Sequence, residues 1–180
     1  MRAPVLLTLF LAAAAARADI SRCACDPARP ETMQKRECSL CREADKQPPN
    51  VEIFFLKDAN PRKPNRWLVL PRVHGTVGHP LSELTPKLRA ALWKAAIAKG
   101  KELWGNDWGL AYNGDLVRTQ CHGHIHIGKL LKGLAPGKTI IVSRVEDIPV
   151  PKGDGLWVQP HGGKLMVHYG EIITETALLR

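Results

Sequence analysis

The chain has 180 residues, which is enough for one domain with a sizeable hydrophobic core, and it contains no internal repeats. The 26 lysines and arginines outnumber the 17 aspartates and glutamates, and the net charge of +9 favours an anionic partner. This charge alone does not distinguish nucleotides, nucleic acid and lipid head groups. No segment beyond the N-terminus is apolar enough to span a membrane.

Residues 1–18 have the pattern of a secretory signal peptide. Arg2 supplies the positive start, an apolar and alanine-rich run follows, and Ala16-Arg17-Ala18 is a small-x-small cleavage site. The apolar run is shorter than the roughly 20 residues that a spanning helix requires. An uncleaved anchor is the alternative. The sequence therefore predicts an exported protein, either periplasmic or secreted.

Residues 19–50 form a polar N-terminal arm that carries Cys23, Cys25, Cys38 and Cys41. In an exported protein, disulfides are the default fate of cysteine. The C-x2-C pair formed by Cys38 and Cys41 is also the commonest half of a zinc site. Because the chain has 5 cysteines, at least one thiol escapes intramolecular pairing. We expect this to be Cys121, facing the core.

Short apolar runs bounded by turn residues predict several β-strands. They lie at 51–56, 67–70, 108–112, 139–142, 156–160 and 164–169. The first two flank a proline-containing turn and the last two flank a glycine turn, so each pair is predicted to be an antiparallel hairpin.

One long helix is predicted between these strands. Thr85 is a suitable N-cap and Pro86 a suitable first helical residue, and apolar residues then recur at helical spacing to about Trp104, before Gly105. Residues 174–179 show a weaker helical tendency. The resulting fold class is α+β, with an antiparallel sheet and one long helix over residues 51–180.

Three histidines alternate within the segment 118–127. If this segment is a strand, His122, His124 and His126 share one face, while small or apolar residues occupy the other. Clustered imidazoles favour a neutral, nucleophilic member near neutral pH, and they indicate a chemical site. A metal-binding tract and an ordinary polar sheet face are the alternatives.

These histidines follow an Arg118-Thr119-Gln120 sequence and, further upstream, Asn113. This string resembles the histidine-triad (HIT) superfamily of nucleotide hydrolases and transferases, and it is most similar to the CDP-diacylglycerol pyrophosphatase branch. The segments 55–60 and 68–72 extend the likeness. The resemblance implies a HIT-like domain that hydrolyses phosphoanhydride bonds through a covalent nucleotidyl-histidine.

The same resemblance implies roles for individual residues. His124, the middle histidine, would be the nucleophile, and His126 would contact phosphate oxygen. Thr119 matches the hydroxyl position that contacts the phosphate or leaving group. Contacts to phosphate or ribose would come from Asn113, Arg118 and Gln120.

A zinc site is also implied by resemblance, because several HIT relatives pair C-x2-C with two histidines. The matching positions are Cys38, Cys41, His74 and His122. A Cys2His2 set has no open position, so this Zn²⁺ would be structural and would orient the histidine strand.

The expected function is therefore that of an exported nucleotide pyrophosphohydrolase, with CDP-diacylglycerol cleaved to CMP and phosphatidate as the leading reaction. One alternative is a soluble nucleotide phosphoramidate or dinucleoside polyphosphate hydrolase. Another is a non-catalytic metal-binding protein. The expected partners are a nucleotide or liponucleotide substrate and a membrane surface contacted peripherally. Nucleic acid is not among them, and a homodimer stays open.

Overall fold

A computed structural model describes residues 20, 23–74, 80–134 and 137–180. The predicted signal peptide lies outside the described residues. The fold is α+β, as the sequence predicts: one antiparallel sheet and one long helix, with short helical segments around them. No helix in the described part of the chain has the length and apolarity required to cross a membrane.

Seven antiparallel strands form a single sheet, in the order β1-β2-β4-β3-β6-β7-β5. The strands are β1 (Ile53–Lys57), β2 (Trp67–Pro71), β3 (Trp108–Tyr112), β4 (Ile125–Lys129), β5 (Lys138–Val142), β6 (Gly155–His161) and β7 (Lys164–Glu171). Both predicted hairpins, β1–β2 and β6–β7, are confirmed. Gly162 and Gly163 form the second turn with φ angles of 54° and 80°, a left-handed conformation that favours glycine.

The helices are α1 (Pro30–Met33), α2 (Ser39–Asp45) and α3 (Pro86–Trp104). Single 3-10 turns lie at Arg36–Cys38, Leu81–Glu83, Val145–Asp147 and Glu175–Ala177. The start of α3 is as predicted: Thr85 accepts a hydrogen bond from the Leu88 N–H through its hydroxyl, and Pro86 is the first helical residue. Gly105, with φ of 58°, follows its end.

The two faces of the sheet are covered by different parts of the chain. Helix α3 packs on one face, where Leu92, Trp93 and Ala96 join inward-facing strand residues in the main core. On the other face, α2 covers β1 and β2 through Leu40 and Ala44. The C-terminal segment covers the middle strands on that second face, where Ala177 and Leu178 pack beside Ala111 and Trp157. A cleft remains between α2 and the C-terminal segment.

The cysteines pair differently from the prediction. Cys23 is bonded to Cys121 and Cys25 to Cys38, with Cα–Cα distances of 5.7 and 5.6 Å. Cys41 is the free, buried thiol. The expectation that Cys121 stays unpaired is wrong, because this residue packs against the cysteines of the arm and not in the sheet core. The disulfides indicate an oxidising environment.

The histidine segment is also only partly a strand. Strand β4 begins at Ile125, so His122 and His124 lie in the loop before it. The backbone N–H of Cys121 donates to the Glu37 carbonyl of the arm, 2.8 Å away, and not to a neighbouring strand. The prediction that all three imidazoles share one strand face is therefore wrong, and only His126 lies within the strand.

Candidate active site and metal centre

The cleft on the face opposite α3 has a volume of about 400 Å³. It collects every residue that the sequence suggests for catalysis or substrate binding: Asn113, Arg118, Thr119, Gln120, His124 and His126. The remaining lining residues come from the arm, the β1–β2 loop, strand β2, the loop before β4 and the C-terminal segment: Arg36, Ser39, Leu40, Asp58, Ala59, Asn60, Lys63, Leu68, Val117 and Glu175.

His124 is held in one orientation by its own backbone neighbour. Its Nδ1 lies 2.8 Å from the carbonyl oxygen of His122. Because a carbonyl oxygen only accepts hydrogen bonds, Nδ1 carries the proton, and the lone pair lies on Nε2. Burial lowers the pKa of His124 to about 4, so its ring is neutral near neutral pH. A neutral, oriented imidazole is the form required of a nucleophile.

His126 stands beside His124, with ring centroids 4.8 Å apart in an edge-on arrangement. Burial lowers its pKa well below 6.5, and the positive charges of Lys63 and Arg66 act in the same direction. Its Nδ1 lies 3.7 Å from Glu175 Oε2. Because the ring is neutral, this approach is not an ion pair, and His126 is suited to contacting a phosphate as an uncharged group.

Arg118 and Gln120, two of the other predicted site residues, form hydrogen bonds with residues of the protein. Arg118, 1% exposed, donates to the carbonyl of Cys121 and pairs with Asp115, so it braces the loop that carries the histidines. Gln120 accepts from the Ser39 hydroxyl and thereby joins this loop to α2.

Asn113 and Thr119 lie at other parts of the cleft wall. The Asn113 side-chain oxygen accepts hydrogen bonds from the backbone N–H groups of Thr174 and Glu175, each 3.0 Å long, so it anchors the C-terminal segment. Thr119 is exposed and lines the cleft.

An ion group that the sequence did not suggest contributes Lys63 and Glu175 to the lining of the cleft. Glu175 Oε2 lies 2.5 Å from Lys63 Nζ and 2.9 Å from Arg66 Nη1. Burial would raise the pKa of Glu175, but Lys63 and Arg66 hold it below its ordinary value, so the carboxylate is charged. No local pattern marks these residues, since more than a hundred positions separate Glu175 from its partners.

A second cluster lies behind the cleft and consists of Cys41, His74 and His122. One ligand atom from each residue lies within 4.8 Å of the others, so these three could hold a metal ion. Three of the four predicted metal ligands are thus brought together. The prediction for Cys38 is wrong, because its sulfur is bonded to Cys25.

The two histidines of this cluster are oriented through their Nε2 atoms. His74 Nε2 lies 2.7 Å from Asp45 Oδ1, and His122 Nε2 lies 2.7 Å from the Pro71 carbonyl. Nδ1 is therefore the nitrogen that each ring would offer to a metal, and the Asp45–His74 contact is typical of metal-binding histidines. Burial, reinforced by Asp45, raises the pKa of the Cys41 thiol to about 12, so a bound cation would be required to stabilise its thiolate.

A scan against protein-family models and a search of curated proteins both find no match to this chain.

Proposed function

We propose that this protein is a hydrolase of nucleotide phosphoanhydride bonds that acts through a covalent nucleotidyl-histidine on His124, as its resemblance to the HIT superfamily implies. The observation that carries the proposal is the His124 ring itself. It is neutral, its tautomer is set by the His122 carbonyl, and it lies in a cleft whose other residues can contact phosphate.

The reaction would take place in two displacements. His124 Nε2 attacks the α-phosphorus, a P–N bond forms, and the bond to the bridging oxygen breaks as the second phosphate group leaves. Water then attacks the same phosphorus, and the P–N bond breaks to release the nucleotide and a neutral histidine. His126 and Thr119 line the same cleft as His124 and would contact phosphoryl oxygens, as the resemblance implies.

The covalent intermediate provides a direct test. Brief incubation with a nucleotide diphosphate ester labelled at the α-phosphorus should leave acid-labile label on the protein. A panel of CDP-alcohols, nucleoside phosphoramidates and dinucleoside polyphosphates should then show which ester is turned over. Absence of both label and turnover across the panel would remove the proposal.

For the second cluster we propose Zn²⁺ as the metal. Cys41, His74 and His122 offer one sulfur and two imidazole nitrogens, the ligand types that zinc prefers, with a fourth ligand from outside this set. Since His122 also presents its carbonyl to His124, a metal there would fix the backbone that orients the nucleophile.

Cobalt substitution tests the metal proposal independently of activity. The Co²⁺-loaded protein should show a thiolate-to-metal absorption band that Cys41→Ser abolishes, and the wild type should bind about one metal per chain. His161→Ala, at the exposed β6–β7 turn, is the matched control and should keep the band. A band that survives Cys41→Ser would place the metal elsewhere.

We propose further that the substrate is lipid-linked, with CDP-diacylglycerol as the leading candidate, and that the protein is exported to the periplasm or secreted. An apolar rim at the cleft supports this. Leu116, Ile172 and Ile173 are 61, 46 and 50% exposed. They lie on two segments joined by the Gly114 N–H to Ile172 carbonyl hydrogen bond, 2.9 Å long.

The position of this rim suits acyl chains or a bilayer surface beside the reacting diphosphate. Asn113 and Val117 on one segment, and Glu175 on the other, line the cleft itself. Without Arg2 and Arg17 of the predicted signal peptide, 24 basic and 17 acidic residues remain, and this net charge of +7 would help at an anionic surface, by roughly 1 kcal/mol for each Lys or Arg brought close to it.

Replacing both Ile172 and Ile173 with serine should lower the rate on CDP-diacylglycerol in anionic mixed micelles by roughly tenfold, since two half-exposed side chains lose their apolar contact. The rate on a water-soluble CDP-alcohol should not change. Ile141→Ser, equally exposed at the far edge of the sheet on β5, is the control. Equal losses on both substrates would contradict the lipid proposal and leave the hydrolase proposal intact.

A further inference from the structure

Lys63 and Arg66, the two cations that pair with Glu175, differ in their other contacts. Both cations meet the same carboxylate oxygen, Oε2 of Glu175. Arg66, 2% exposed, is otherwise committed to backbone carbonyls of the C-terminal segment, at Glu175, Leu178 and Leu179. Its hydrogen bonds therefore attach the C-terminal segment to the rest of the fold, and Arg66 does not line the cleft.

Lys63 is placed differently. Its ammonium group has three donors, and within the described part of the chain its side chain is bonded to Glu175 alone. The side chain is 18% exposed and lines the cleft that contains His124 and His126. A largely buried ammonium group with two further donors, on the wall of a cleft of about 400 Å³, is suited to binding a phosphate oxygen.

The remaining cations of the cleft do not offer the same arrangement. Arg118 is almost wholly buried and braces its own loop through Cys121 and Asp115. Arg36 is exposed at the rim. Lys63 is thus the cation that is both partly buried and directed at the cleft by a fixed partner.

We infer that Lys63 binds a phosphate oxygen of the substrate and that Glu175 is a positioning residue that holds the Lys63 ammonium at the cleft wall. The first role extends the proposed function to a specific phosphate contact and rests on it. Glu175 can act in this way because its backbone is fixed by Asn113 and Arg66.

This arrangement predicts opposite effects on binding and on turnover when Glu175 loses its charge. Glu175→Gln removes a negative charge next to the anion site, so a phosphate should bind more tightly. The same change frees the flexible Lys63 side chain from its fixed position, so turnover should fall. A purely structural role of Glu175 would instead weaken both together.

Pyrophosphate binding, measured by calorimetry, and turnover of a soluble CDP-alcohol test the two roles. Lys63→Met should weaken pyrophosphate binding by about tenfold or more, because it loses a charge-assisted hydrogen bond. Lys63→Arg should retain part of the pyrophosphate affinity that Lys63→Met loses. Glu175→Gln should bind pyrophosphate several-fold more tightly and lower kcat by about tenfold, whereas KM should not rise.

The control is a second ion pair of similar length, Lys94 to Glu146, 2.7 Å apart and exposed on the α3 side of the protein. Lys94→Met and Glu146→Gln should behave as the wild type. Thermal unfolding should show that the Lys63 variants are folded, since Arg66 keeps its own hydrogen bonds to the C-terminal segment.

The outcomes separate this inference from the proposed function. If Lys63 and Glu175 variants match the wild type in both pyrophosphate affinity and kcat while the wild type turns over substrate, the inference is overturned. Weaker binding by Glu175→Gln together with a higher KM would overturn the positioning role. If pyrophosphate binding depends on Lys63 as expected but no nucleotide is hydrolysed, the phosphate site stands and the hydrolase proposal fails.

Discussion

His124→Ala should lower the turnover of a soluble CDP-alcohol by about 10³-fold or more, because it removes the neutral imidazole that the His122 carbonyl orients as the proposed nucleophile. The acid-labile label that the wild type should retain after brief incubation with an α-labelled substrate should disappear. Steady-state kinetics and gel detection of the label, on the same preparation, measure the two effects.

The fold of this variant should persist, because His124 lies in the loop before β4 and lines the cleft on the face of the sheet opposite α3. His161→Ala, at the exposed β6–β7 turn, controls for the loss of an imidazole and should keep full activity. His126→Ala should keep the label and slow its hydrolysis. Wild-type turnover by His124→Ala would place the chemistry on another residue.

The fold could be predicted because its signals are local. A hydroxyl and a proline at Thr85-Pro86 begin α3, alternating or apolar runs mark the strands, and Gly162-Gly163 closes the last hairpin. Each of these depends on a few neighbouring residues, so the sequence contains them directly. The order of strands in the sheet depends on contacts between distant segments, so these local signals do not predict it.

The residues of the cleft were predicted where they belong to one short motif. His124, His126 and the Arg118-Thr119-Gln120 segment lie together in the chain and in space. His122 and His124 occupy alternate positions but do not lie in the same site. His122 belongs to the cluster with Cys41 and His74, because the N–H of Cys121 is hydrogen-bonded to the arm and the segment is not a strand there. Strand alternation applies only where a neighbouring strand provides the partner.

Contacts across long sequence distances account for what the sequence did not reveal. Glu175 reaches the cleft only because Asn113 and Arg66 hold the C-terminal segment across the sheet. The pairing of the cysteines also depends on contacts between distant segments, since spacing along the chain cannot determine which cysteines pair. The resemblance to HIT relatives implies that Cys38 is a zinc ligand, but its sulfur is bonded to Cys25.

The disulfide between Cys23 and Cys121 joins the arm to the residue before His122, and its removal should have the largest effect on stability. It closes a loop of 98 positions, whereas the Cys25–Cys38 disulfide closes one of 13. By the loop-entropy relation, constraints of these lengths are worth about 4.7 and about 3 kcal/mol. We therefore expect the longer bridge to contribute more to the free energy of unfolding.

Replacing Cys23 and Cys121 together with alanine should lower the free energy of unfolding by roughly 4 to 5 kcal/mol, and replacing Cys25 and Cys38 by roughly 3 kcal/mol. Urea denaturation at matched m-values measures both, with the unreduced wild type as reference. The first variant should still fold, because Leu40 keeps α2 packed on the sheet. If the shorter bridge proves the more stabilising of the two, loop closure is not the source of the effect, and strain or packing around the cysteines would have to account for it.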